Sequence, residues 1–115
     1  MPESNLTELR STILKALSDP VRLEIIELLK GGERCVCEVI PALGRSQSTV
    51  SKNLDLLYKA GILERRVDGK KTLYRIGNAR VMELLKEVDA IALDHISSLS
   101  KSAKLLEESV NRGRD

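Results

Sequence analysis

Cys35 and Cys37, one residue apart in the run Cys-Val-Cys-Glu, are the chain's two cysteines. A thiolate is both a soft ligand and a nucleophile, so a pair at this spacing can hold a soft metal or cycle between thiol and disulfide. The plainest reading is two small, partly buried residues with no sensing role, because unpaired cysteine packs as a small apolar group. A second is a two-thiolate site for a soft metal or metalloid, completed by water, Glu38 or another subunit. The third, and the favoured one, is a redox switch. In a regular helix, side chains two positions apart project about 200° from each other. Two such sulfurs cannot meet disulfide geometry, so oxidation has to unwind the first helical turn or bridge two chains. A helix N-terminus also lowers a thiol pKa, which favours reactivity. Two cysteines this close do not form a disulfide framework. A small thiol oxidoreductase is a remote alternative: there is no thioredoxin-like βαβ pattern, no glycine-rich phosphate loop and no acid–base constellation, so no enzyme is expected.

The elements around the pair say what it could control. Residues 35–43 read as a short helix, kinked or limited by Pro41. Gly44 supplies a turn and Ser46 the N-cap of the next helix, which ends with Gly61 at C′. Helix, glycine-containing turn and helix make a helix-turn-helix. On its second helix Gln47, Ser48, Ser51, Lys52 and Asp55 fall on one stripe, and Val50, Leu54 and Leu57 on the opposite one. Short polar groups on an exposed stripe suit a DNA major groove. An ordinary amphipathic surface helix has the same pattern, so the neighbours decide. Two strands follow, over 62–67 and 72–76, with Asp68-Gly69 between them as a hairpin signal. Arg65, Arg66, Lys70 and Lys71 stand there against Glu64 and Asp68. A basic hairpin directly after a helix-turn-helix is a wing that lies along the phosphate backbone. A module that binds protein instead differs in salt dependence, since DNA binding weakens steeply as salt rises.

The flanks read as scaffold and dimer seam. Residues 1–5 are expected to be a flexible arm and 111–115 a flexible tail, leaving a single domain over 6–110. Leu6, Leu9, Ile13, Leu14 and Leu17 recur at helical spacing. Asp19 is the expected N-cap of a second helix that begins at Pro20, continues through Val21, Ile25, Leu28 and Leu29, and stops at Gly31-Gly32. From Ala79 to about Val110 runs one long helix, or two with a break near Ser97-Ser98. Its apolar residues recur at a spacing near 3.5, the signature of a helix–helix seam. One small domain cannot cover so long a stripe. A homodimer follows, with its seam at Leu6, Leu9, Ile13, Val88, Ala92, Ile96, Leu99, Ala103 and Leu106.

Composition agrees. With 115 residues, 42% hydrophobic and 31% charged, the chain should fold as one domain. Trp and Phe are absent, so the core must be aliphatic. The net charge of +2 permits nucleic-acid binding without arguing for it. No apolar run reaches the length of a membrane span, and MPESNLTELR lacks a signal-peptide core, so a cytoplasmic location is expected.

The chain closely resembles the ArsR/SmtB family of winged-helix repressors. The resemblance is carried by Leu17-Ser18-Asp19-Pro20-Val21-Arg22, Cys35-Val36-Cys37-Glu38, Ser46-Gln47-Ser48-Thr49-Val50-Ser51-Lys52-Asn53-Leu54 and Asp68-Gly69-Lys70, in the family's order and spacing. It implies a mainly α fold with a small β-hairpin, a winged helix-turn-helix that dimerises through its N- and C-terminal helices. It also implies a transcriptional repressor on an inverted repeat of double-stranded DNA, released when an inducer binds or oxidises a sensor. Gln47, Ser48, Ser51 and Lys52 would then read bases. Ser46, Thr49, Arg65, Arg66, Lys70 and Lys71 would meet the DNA backbone.

The sensor departs from the family's patterns. Its arsenite sensors add a third cysteine three residues after Cys-Val-Cys, where this chain has Ile40, and other members use cysteines of the N-terminal arm, which has none here. A three-thiolate site therefore cannot form within one subunit. The family's zinc site follows Asp-x-His-x10-His-x-x-Glu on the last helix. With His95 as the first histidine, the other positions are Leu93, Leu106 and Ser109; with Asp94 first, that histidine becomes Ile96. Neither register fits, and His95 reads as a surface or dimer-seam residue. No obligatory cofactor is expected. Cys35 and Cys37 remain as sensor thiols, able to take up a soft metal or metalloid inducer.

Overall fold

The computed structural model describes residues 3–113. Its elements are α1 (Glu3–Leu17), α2 (Pro20–Leu29), β1 (Arg34–Cys35), α3 (Val36–Leu43), α4 (Gln47–Lys59), β2 (Leu63–Asp68), β3 (Lys71–Ile76) and α5 (Arg80–Arg112). Residues 3–5 of the expected arm are helical, and Met1 and Pro2 lie outside the described residues. Asn111 and Arg112, expected in the tail, extend α5, while Arg114 and Asp115 lie outside the described residues. The described residues fall into two compact units that meet between Ala79 and Arg80 in the chain.

In the first unit, Asp19 caps α2 as its sequence suggests: its backbone is extended and its carboxylate accepts the Arg22 N–H at 3.1 Å. Pro20 then occupies the first turn, where its missing N–H costs nothing. The Arg22 side chain turns back to α1, donating from Nε to the Ala16 carbonyl at 2.7 Å and from NH2 to the Lys15 carbonyl at 3.0 Å. Those carbonyls end α1 and lack partners within it. The core is aliphatic: Ile25, Ile26 and Leu29 of α2, Val39 of α3, Val50, Leu54 and Leu57 of α4, and Ile62 are essentially buried. Each such side chain stabilises the fold by about 1.5–3 kcal/mol relative to exposure.

The end of α4 aims the chain into the wing. Gly61 takes φ +79°, its N–H bonds the Tyr58 carbonyl at 3.0 Å, and the Ile62 N–H bonds the Leu57 carbonyl at 3.0 Å. This double closure is a Schellman motif, and glycine is favoured at its left-handed position. β2 and β3 then pair antiparallel from Leu63↔Ile76 to Asp68↔Lys71. β2 is thus shifted one residue along from the expected 62–67, β3 starts one residue earlier than expected, and the turn is Gly69-Lys70 rather than Asp68-Gly69. Gly69 has φ +61°, and no non-glycine residue among those described has positive φ, as in a turn of type II′. A third strand joins them: β1 pairs with β3 through Arg34↔Tyr74 and Cys35↔Leu73, giving the order β1-β3-β2.

The second unit is α5, a single 33-residue helix with no break at Ser97-Ser98. Ile96, Leu99 and Leu106 are 61%, 57% and 66% exposed on the isolated chain. Among the described residues no helix is long and apolar enough to cross a membrane.

Candidate nucleic-acid interface and thiol pair

Ser46 starts α4 where its sequence predicts, accepting the Thr49 N–H at 3.3 Å. Its hydroxyl also donates to Thr49 Oγ1 at 3.0 Å and lies 3.3 Å from the Ser48 hydroxyl. Burying Val50, Leu54 and Leu57 on one side turns Gln47, Ser48, Ser51 and Lys52 outward, where all four are exposed. Asp55 shares their stripe, yet its negative charge is matched. Lys59 Nζ lies 2.9 Å and Arg65 NH1 3.2 Å from its carboxylate. The Lys59 hydrogen bond, then that of Arg65, holds the Asp55 carboxyl below its ordinary range.

Asn53 was missed by sequence reasoning. It is the one buried polar side chain among the described residues. It donates from Nδ2 to the Thr49 carbonyl at 2.9 Å and accepts from Arg22 NH1 at 3.0 Å. A polar residue between Val50 and Leu57 on an otherwise apolar stripe was the available signal.

The wing's four basic residues divide into two kinds. Arg65 reaches α4, where its guanidinium also lies 3.9 Å from the Tyr58 ring centroid. Successive strand residues point to opposite faces, and Arg66 reaches the other way. It donates to both oxygens of Glu33, at 2.7 and 3.0 Å. That bidentate hydrogen bonding holds the Glu33 carboxyl below its ordinary range, against a smaller opposing effect of burial. Lys70 and Lys71 at the wing tip are exposed and have no ion-pair partner among the described residues.

At the thiol pair the structure corrects the expected geometry. Cys35 is not helical: with φ −75° and ψ 151° it ends β1 and is the N-cap of α3. The 200° argument requires both residues to be helical, and only Cys37 is. From the cap position the Cys35 sulfur folds over the first turn, accepts the Cys37 N–H at 2.9 Å and is disulfide-bonded to Cys37. Cys35 is only 2% exposed, whereas Cys37 is open to solvent.

Glu38 completes a capping box, accepting the Cys35 N–H at 3.2 Å, and its other oxygen lies 3.5 Å from Arg34 NH1. Both oxygens are therefore engaged, which weakens Glu38 as a third metal ligand beside the sulfurs. Among the described residues no three His, Cys, Asp or Glu side chains gather as a metal cluster. An open cavity of about 470 Å³ lies beside the pair. The first turn of α3, Gln47 and Ser51 of α4, and Lys70 and Lys71 of the wing line it.

Residues 19–65, from the cap of α2 into β2, match the family described as bacterial regulatory protein, arsR family. An uncharacterized HTH-type transcriptional regulator, MJ1325, of Methanocaldococcus jannaschii is 42% identical over 85 residues, spanning 73% of this chain and 96% of the relative. The chain belongs to the ArsR family. An arsenical resistance operon repressor of Staphylococcus aureus is 34% identical to this ArsR-family chain over 94 residues, 82% of this chain and 90% of the repressor. In three dimensions it is similar to the homodimeric winged helix-turn-helix DNA-binding domain of Mb0332 from Mycobacterium bovis. The TM-score is 0.73 and the identity 34%, over 81% of this chain and 86% of that one. As an ArsR-family member the protein is a DNA-binding transcriptional regulator and not an enzyme.

Proposed function

We propose that this chain is a cytoplasmic, homodimeric repressor whose hold on an inverted-repeat operator is set by the thiol state of Cys35 and Cys37. Gln47, Ser48, Ser51 and Lys52 of each copy read base edges in successive major grooves, about 34 Å apart. Ser46, Thr49, Lys70 and Lys71 meet phosphates. Arg65 and Arg66 act chiefly by orienting the wing through Asp55 and Glu33. A second copy covers the apolar stripes at Leu6, Leu9 and Ile13 of α1 and at Val88, Ala92, Ile96, Leu99, Ala103 and Leu106 of α5. The observation that carries the switch is the position of Cys35, which belongs at once to the wing sheet and to the cap of α3. Joining it to Cys37 places a covalent tie at the junction between the DNA-reading motif and its wing.

The test is a gel shift on operator DNA with reductant and then with diamide. Diamide is expected to release wild type and to leave Cys35→Ser/Cys37→Ser bound. If the double variant is released like wild type, the pair is not the sensor.

A second reading uses the same sulfurs as ligands for a soft metal or metalloid inducer. It is favoured by their juxtaposition and by the likeness to an arsenical resistance operon repressor. The third donor would come from water or the second copy, and adding arsenite or Cd(II) to the same gel shift separates this reading from oxidation.

A further inference from the structure

The two sulfurs are unequal in access, and the cavity beside them is unequal in charge. Cys37 is exposed on the first turn of α3 and Cys35, at its N-cap, is buried. Lys70 and Lys71 line the cavity with the pair, as do Ser51 and Gln47. The nearby carboxylate of Glu38 is turned to the Cys35 N–H and Arg34, so it does not offset the lysines. An open cleft lined by one sign of charge concentrates ligands of the other sign.

We propose that this cavity is the entry site for a low-molecular-weight disulfide bearing carboxylates, which oxidises the pair by way of Cys37. The inference rests on the reading of Cys35 and Cys37 as a reversible thiol switch. The Cys37 thiolate attacks one sulfur of RSSR. That S–S bond breaks, RS⁻ leaves and takes up a proton, and Cys37 carries a mixed disulfide. The Cys35 thiol then loses its proton and attacks the Cys37 sulfur. The Cys35–Cys37 bond forms and the second RS⁻ leaves as RSH. Two electrons pass from the protein dithiol to RSSR, which becomes two thiols, so no further oxidant is needed. The Cys37 N–H that donates to the Cys35 sulfur stands ready to hold negative charge there during the second step. The wing lysines lie on the cavity wall and are the proposed phosphate contacts, so DNA and the anionic oxidant compete for them.

The probes are oxidised glutathione, which is anionic, and cystamine, which is cationic, each added to the reduced, DNA-free protein. Intact mass and thiol loss are followed in time. The glutathione-to-cystamine rate ratio is expected to fall on the order of tenfold in Lys70→Ala/Lys71→Ala. Cys35→Ser should retain one glutathionyl group on Cys37, and Cys37→Ser should react far more slowly. An unchanged ratio in the lysine variant overturns the cavity's role, and equal reaction of the two single-cysteine variants overturns Cys37 as the entry thiol. Diamide carries no charge to be selected. If diamide-oxidised protein stays on the operator while the charge ratio behaves as expected, the switch fails and the entry site stands.

Discussion

Arg22 NH1 donates to Oδ1 of Asn53 at 3.0 Å, joining the start of α2 to the buried side of α4. The same guanidinium caps the last carbonyls of α1, so one side chain fixes three helices, including the one that presents the polar face. Lysine has no planar fork and cannot serve all three acceptors. Asn53→Ala should destabilise the fold by about 1–3 kcal/mol, because it removes a hydrogen bond to a charged group and leaves Arg22 short of a partner. Arg22→Lys should not restore stability. In a double-mutant cycle by urea denaturation, Arg22→Ala and Asn53→Ala should be less than additive, with a coupling of about 0.5–3 kcal/mol. Strict additivity would show that the contact contributes nothing.

The wing predicts two kinds of DNA-binding defect. Lys70→Ala should weaken binding to every sequence and lower the log–log salt slope by about one. Arg65→Ala should weaken binding chiefly by leaving Lys59 as the sole partner of the Asp55 charge on the reading face, so adding Asp55→Asn should recover most of the loss with the salt slope unchanged. Gln47→Ala should instead alter preference at one base position, by about 1–3 kcal/mol. Anisotropy titrations across salt concentrations and operator variants measure all three.

Arg66 gives the wing a pH signature. Its hydrogen bonds hold the Glu33 carboxyl below the ordinary carboxylate range in the folded protein. A folded-state pKa below the unfolded one contributes stability above the unfolded value, and that contribution is lost as pH falls through the folded value. Both groups are solvent-exposed, so the stability effect is small and the titration itself is the better measurement. By NMR, Glu33 should titrate below its ordinary range in wild type and return towards it in Arg66→Ala. No change between the two would contradict the pairing.

Much of the fold was legible because its signals are local. The cap at Ser46, the 3.6-residue segregation of Val50, Leu54 and Leu57 from Gln47, Ser48, Ser51 and Lys52, and the glycine at Gly61 each lie within α4 or at its ends. β1 was not legible, because two residues carry no periodicity. Cys35 is extended through pairing with Leu73, far along the chain, and that long-range contact reversed the expected sulfur geometry. Arg65 and Arg66 read as phosphate contacts from charge alone. Their partners Asp55 and Glu33 become visible only when the hairpin is placed against α4 and the loop before β1.

The thiol switch is tested most directly by titrating one reduced sample across glutathione redox poises and reading thiol state and operator affinity together. Both curves are predicted to share a single midpoint with a two-electron slope, as a single dithiol–disulfide couple requires, and the affinity step should vanish in Cys37→Ser. An operator affinity that stays flat while the Cys35–Cys37 disulfide forms would contradict it.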